Sequence, residues 1–233
     1  MSRFANILLD LDGTLTDPFD GIAASIRHAM QCMGLPPPLE DELKSAIGPP
    51  LRQGFSKFLA TQDATRIESA MRFYRERYSV TGLFENRVYP GVPEMLAKLK
   101  AAGCRLFVAT SKPAVFAQRV IRHFDLERYF VRTYGSELDG RFDNKVALLA
   151  MVLNREALDA QKTAMVGDRA QDTLAAKAHN LCAVGVTWGY GSRNELQESG
   201  ANVLCNTPSE VVRFLTESGA AGSWGAPKSW RVP

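Results

Sequence analysis

Apolar positions follow two different rhythms along this 233-residue chain. Residues 7–10 form a short apolar run ending in an acid, Asp10, the pattern of a buried strand. Phe19, Ile22, Ala23, Ile26, Met30 and Met33 then recur at helical spacing until Gly34 and Pro36-Pro37-Pro38 stop the pattern. A second helix is expected over 39–47, closed by Gly48-Pro49-Pro50. Leu51, Phe55, Phe58 and Leu59 mark a third, and Ile67, Met71, Tyr74 and Tyr78 a fourth. No strand signal interrupts this stretch, so residues 18–87 read as one all-helical block.

After that block the rhythm alternates. Helices are expected over 93–102 (closed by Gly103), 113–124, 145–153 and 172–180, and strands over 105–110, 131–134, 163–166, 183–186 and 203–205. Strands alternating with helices imply βαβ units. The expected fold class is therefore α/β, a Rossmann-like, mostly parallel sheet core with an inserted all-helical unit. Residues 1–17 and 88–216 form the core, 18–87 the insert, and the Gly-, Ser- and Pro-rich stretch 217–233 a flexible tail.

Composition narrows the classes. Twenty-eight basic against 25 acidic side chains give a net charge of +3, mixed along the chain, which does not argue for nucleic acid. No span approaches the ~18 consecutive apolar residues of a membrane helix, and Asp10 and Asp12 interrupt the first apolar run, so neither a membrane partner nor a signal peptide is expected. Cys32, Cys104, Cys182 and Cys205 form neither a CxxC pair nor a zinc pattern. They read as buried free thiols, and the expected location is cytoplasmic.

The chemistry lies at strand ends. In open α/β sheets, ligands bind beyond the carboxyl ends of the strands. Asp10 ends the first strand, Thr110 the second expected core strand, and Asp168 follows the third. Asp10 and Asp12 are two residues apart on an extended end, so they point the same way and repel unless a cation or proton lies between them. Gly13 permits a turn and the close approach of a ligand, with Thr14 beside it. Asp168 and Asp172, four residues apart at a helix start, add two acids; such an oxygen-rich set suits Mg²⁺ where phosphate completes its shell. Asp168 alone would equally read as a helix cap. Thr110 and Ser111 offer donors before a helix N-terminus, and Lys145 a compact positive charge. Together these parts suit phosphoryl transfer, in which a carboxylate can be the nucleophile.

At Asp10-Leu11-Asp12-Gly13-Thr14, Thr110, Lys145 and Gly167-Asp168-Arg169-Ala170-Gln171-Asp172, in that order, the sequence resembles the haloacid dehalogenase superfamily. The resemblance covers nearly everything up to about residue 215. It implies Asp10 as nucleophile and magnesium ligand, and Asp12 as general acid and base whose backbone carbonyl also binds the metal. It implies Thr110 as the phosphate-binding hydroxyl and Lys145 as the stabiliser of the charged intermediate. Asp168 would ligate the metal, with Asp172 supporting it directly or through water. The insert resembles the family's helical cap, which closes over the substrate. Within the superfamily the chain looks most like the phosphoglycolate phosphatases and their 5'-nucleotidase-like relatives, through 47–51 and Thr110-Ser111-Lys112-Pro113. Arg169, where small residues are also common, carries no assigned meaning.

The function expected is Mg²⁺-dependent hydrolysis of a small phosphate ester through an aspartyl-phosphate. The first choice of substrate is 2-phosphoglycolate, whose carboxylate Arg52 or Lys112 would pair. A nucleoside monophosphate is the alternative, stacked on Phe19 or Phe55, and a sugar-phosphate mutase the second alternative. Arg52 reads equally as a solvent-facing helix residue, and Arg66, Arg72, Arg75 and Arg77 as the wet face of the insert. A dehalogenase does not need Asp12, and a phosphonate hydrolase would need a Schiff-base lysine that neither Lys44 nor Lys57 is marked to be. Monomer and homodimer both stay open.

Overall fold

The computed structural model describes residues 2–217. Six strands form one parallel sheet: β1 (Asn6–Leu9), β4 (Arg105–Pro113), β5 (Arg132–Ser136), β6 (Thr163–Gly167), β7 (Cys182–Val186) and β8 (Val203–Cys205). Two further strands of two residues each, β2 (Thr16–Asp17) and β3 (Arg87–Val88), pair antiparallel. The large sheet runs in the order β5-β4-β1-β6-β7-β8. The first strand is thus central, with Leu9 level with Val108 on one side and Val166 on the other.

Strands buried on both faces read as continuous apolar runs, and their alternation splits the core in two. Ile7, Leu9, Leu106, Val108, Ala164 and Val166 pack on one face, with α5 (Val92–Ala101), α6 (Ala114–His123) and α10 (Pro208–Thr216). Leu8, Phe107, Ala109 and Met165 pack on the other, against α7 (Lys145–Arg155) and α8 (Ala170–Ala178). The period of two along each strand makes both sets from one sequence.

The insert comprises α1 (Phe19–Cys32), α2 (Glu40–Ser45), α3 (Leu51–Phe58) and α4 (Ala64–Arg77), followed by a π-helical turn, Tyr78–Gly82. Its apolar interior, including Ile26, Leu43, Phe55, Met71 and Tyr74, is continuous with the first face cluster of the core. The β2–β3 pair closes the two chain crossings between insert and sheet. There Arg87 pairs with Asp17 at 2.9 Å, and the Tyr190 hydroxyl donates to the same carboxylate.

Several details depart from the expected pattern. Strand β4 runs on to Pro113, with a register shift between Ala109 and Pro113, because β5 continues to pair with it. The short pair β2–β3, the helix α9 (Arg193–Glu198) and α10 are additional. Both helices are capped by hydroxyls, Ser192 and Thr207, a start signal readable in the sequence. Cys104, Cys182 and Cys205 are buried, but Cys32 is exposed at the end of α1; all four are free. The tail expected over 217–233 lies, beyond Glu217, outside the described residues. No helix among the described residues is long and apolar enough to cross a membrane.

Candidate active site

The strand order reverses between β1 and β6, and crevices at such a switch point are where open α/β sheets bind ligands. Asp10 follows β1 and Asp168 follows β6, so the two acids face each other across that crevice. The Asp10 backbone N–H donates to the Val166 carbonyl at 2.9 Å, which fixes the level of its side chain. Asp172, in the first turn of α8, joins them: one carboxylate oxygen from each of Asp10, Asp168 and Asp172 lies within 4.8 Å of the others. All three are buried.

Lys145, at the start of α7, enters the cluster from the same side of the sheet as α8, which carries Asp172. Its Nζ donates to Asp10 Oδ1 and contacts Asp172 Oδ1, both at 2.8 Å. Burial alone would lower this ammonium, but Asp10 and Asp172 outweigh it and hold it up at about 12. Burial, with Asp10 and Asp172 nearby, pushes Asp168 up to about 8. Asp172 rises to about 6 through burial, opposed by Lys145. Buried acids with raised values resist ionisation until a cation compensates them.

The Asp12 carboxylate is not part of this three-acid cluster, although it lines the same cleft as Asp10. It accepts two hydrogen bonds from Lys112 Nζ, at 2.7 and 2.5 Å, in a buried pair. Burial raises the Asp12 carboxyl and Lys112 opposes the rise. Any metal contact of Asp12 therefore falls to its backbone carbonyl, as the resemblance implies. Lys112, expected to pair with a substrate carboxylate, is already paired with Asp12.

Four carboxylates against two ammoniums leave two negative charges, the charge of one divalent cation. Oxygen donors without sulfur or imidazole suit a hard ion such as Mg²⁺. The residues present therefore fit that ion.

A tight backbone carries the acids. Gly13 has φ +85°, and a Cβ there would lie 2.2 Å from Asp168 Oδ2. Thr14 is fully buried, and its hydroxyl donates to Asp168 Oδ1 at 3.1 Å. Thr14, expected beside the ligand, is thus turned towards this acid and orients it. The Tyr190 N–H donates to Asp168 Oδ2 at 2.8 Å, and Trp188 Nε1 to the Thr14 carbonyl at 3.1 Å. A Cβ on Gly189 would lie 2.3 Å from the Gly13 carbonyl, so the loop after β7 seats directly on the first motif. Sequence reading gave that loop no role; the Gly189-Tyr190-Gly191 pattern after an apolar strand is the signal that would have found it.

Asp10, Asp12, Thr110, Ser111 and Lys112 line one wall of a cleft whose opposite wall is the insert. Thr110 is buried, with its Oγ1 accepting from the Lys112 N–H at 3.2 Å. The insert wall is apolar and aromatic: Ile22, Leu51, Met71, Tyr74 and Tyr78, with Phe116 of α6 beside them. Tyr74 and Tyr78 stack at 4.9 Å between ring centroids, and the buried Tyr78 hydroxyl has no hydrogen-bond partner among the described residues. Phe55 sits in the core and Phe19 packs against it; neither lines the cleft.

Arg52 does line it, but its guanidinium is engaged. Nε meets Glu68 at 2.5 Å, Nη2 donates to the Leu138 carbonyl at 2.8 Å, and Nη1 lies 3.5 Å from Asp143. Arg75, expected on the wet face, also lines the cleft, whereas Arg72 and Arg77 pair with Glu76 and Glu85. Arg169 acquires a contact that its motif position did not suggest. It pairs with Glu195 at 2.9 Å and donates to the Ile47 carbonyl of the insert.

A family model described as haloacid dehalogenase-like hydrolase matches residues 7–186. A 5'-nucleotidase of Pseudomonas aeruginosa is 46% identical over 87% of this chain and 91% of its own length. A phosphoglycolate phosphatase of Colwellia psychrerythraea is 27% identical over 90% of this chain and 96% of its own. The crystal structure of a predicted phosphatase from Clostridium acetobutylicum superposes with a TM-score of 0.87 at 35% identity, covering 91% of this chain and 97% of that one.

Proposed function

The chain belongs to the haloacid dehalogenase-like hydrolases and is a phosphatase, and from that premise we propose that it hydrolyses nucleoside 5'-monophosphates through an aspartyl-phosphate on Asp10. The Asp10 carboxylate attacks phosphorus as the bond to the leaving oxygen breaks. Asp12 delivers a proton to that oxygen, consistent with burial raising its carboxyl. It then takes a proton from water, which attacks the phosphorus of the Asp10 phosphate, breaks the bond to Asp10 and releases inorganic phosphate. Lys145, 2.8 Å from Asp10, balances charge on the transferring group, and the Thr110 hydroxyl and the Ser111 N–H hold its oxygens. Asp10, Asp168 and Asp172, with the Asp12 carbonyl, would hold magnesium, which supplies a fixed double charge against those oxygens.

One observation carries the choice of leaving group: the insert faces Asp10 and Asp12 with Ile22, Leu51, Met71 and the stacked pair Tyr74–Tyr78. An apolar, aromatic wall favours a leaving group with a flat apolar part, as a nucleoside has. The name of the 46% identical relative supports the same reading. 2-Phosphoglycolate becomes the second reading, kept by the phosphoglycolate phosphatases among the relatives. The two cations expected to pair with its carboxylate already hold acids: Arg52 meets Glu68 and Asp143, and Lys112 meets Asp12.

The test compares kcat/KM for UMP, AMP, 2-phosphoglycolate and glucose 6-phosphate at one magnesium concentration. Nucleotides are expected to lead. A clear lead for 2-phosphoglycolate would overturn the choice of substrate and leave the chemistry standing, and no turnover of any ester would overturn both.

A further inference from the structure

Arg52 and Arg75 both line the cleft, and Arg75 differs from Arg52 in having no carboxylate partner among the described residues. It projects from α4 into the cleft lining, partly buried. Its one hydrogen bond runs from Nη2 to the Leu138 carbonyl at 2.9 Å. A guanidinium carries five N–H donors in a fixed fork, so four of them find no acceptor among the described residues. The neighbouring Arg52 meets Glu68 and Asp143, Arg77 meets Glu85, and Arg169 meets Glu195.

The surroundings select the kind of acceptor that these donors would take. Glu137 and Asp143 line the same cleft beside Ser136. An anionic group brought to Arg75 would meet these two carboxylates as well, so the two arginines do not make an anion site. A neutral acceptor meets no such penalty. The wall around Arg75 is formed by Met71, Tyr74 and Tyr78, which suit a planar ring. A planar ring with neutral acceptors on its edge is a nucleobase bearing ring carbonyls.

From this juxtaposition we infer that Arg75 is a specificity-determining residue that donates to a carbonyl on the nucleobase edge, so that the enzyme prefers oxo bases to amino bases. The inference rests on the nucleotide reading above. Uracil and cytosine differ where one presents an acceptor oxygen and the other an amino donor, and hypoxanthine and adenine differ in the same way. An amino group facing Arg75 sets donor against donor, and both lose their partners. Sites built to hydrogen-bond one group discriminate strongly against the analogue that cannot answer it.

The experiment measures kcat/KM for the pairs UMP/CMP and IMP/AMP in wild type, Arg75→Ala and Arg75→Lys, with circular dichroism and melting curves to check each fold. Wild type is expected to favour UMP and IMP by about tenfold or more. Arg75→Ala should bring both ratios near one, and Arg75→Lys, which keeps a donor without the fork, should retain part of the preference. A smaller wild-type preference overturns the inference, as does a preference that Arg75→Ala leaves intact. Should Arg75→Ala not fold, a ratio unchanged from wild type in Arg75→Gln overturns it instead. Nucleotides hydrolysed without base preference would refute this role of Arg75 alone, whereas slow turnover of all four nucleotides beside fast turnover of another ester would refute the nucleotide reading itself.

Discussion

Replacing Lys145 with Met tests the charge arrangement at the centre of the site. The Lys145 side chain is 3% exposed and bridges Asp10 and Asp172, at 2.8 Å each. Its removal leaves Asp10, Asp168 and Asp172 without a facing cation, since Lys112 is held by Asp12. Breaking a buried pair in this way costs about 3–5 kcal/mol. At roughly 2–4 °C per kcal/mol for a chain of this size, the metal-free protein should melt about 6–20 °C lower at pH 8. The deficit should shrink towards pH 5, because burial holds Asp168 at about 8 and Asp172 at about 6, so both take up protons on the way down. Magnesium should stabilise the variant by a larger increment than it does wild type, since one more negative charge awaits it. Turnover should nevertheless fall, by about 10²–10³-fold, because a donor to the transferring group has gone. Intrinsic fluorescence melting reports the stability arm through Trp188, whose indole N–H donates to the Thr14 carbonyl. A variant that melts within about 2 °C of wild type at pH 8 without metal would refute the charge reasoning.

Asp12→Asn should keep the fold and lose about 10²–10⁴-fold in kcat, while Asp10→Asn should abolish turnover; wild-type rates in either variant would sink the assigned roles. Chelation with EDTA should stop catalysis and added Mg²⁺ restore it, and full activity after exhaustive chelation would count against the metal. Metal-free wild type should also lose stability as pH rises. Asp168 has a folded value above its ordinary 3.8, so its contribution is complete below about 4 and is lost as pH climbs to about 8. A melting temperature that is flat or rises between pH 5 and 8 in EDTA would contradict this.

Much of this protein is legible in one dimension. The period of two in the strands and 3.6 in the helices separates the helical insert from the α/β core, because each period reports which faces meet apolar neighbours. The motif acids are legible for a similar reason: Asp10, Asp12 and Asp168 follow apolar strand ends and Asp172 opens the next helix, where a buried charge needs a purpose. What those acids touch is not local. Lys145 reaches Asp10 across 135 positions of sequence, and Lys112 reaches Asp12 across 100. Only the strand order β4-β1-β6 brings these groups to one crevice, and it separates the Asp12 carboxylate from the other three. Thr14 turns its hydroxyl to Asp168, because Gly13 turns the chain there with φ +85°. The arginines of the insert illustrate the limit best. In sequence Arg72, Arg75 and Arg77 share one helical stretch and read as its wet face, and Arg52 reads equally as a solvent-facing residue. Which of them meets a carboxylate and which faces the cleft unpaired depends on the rotation of α3 and α4 over the sheet, and long-range packing sets that rotation.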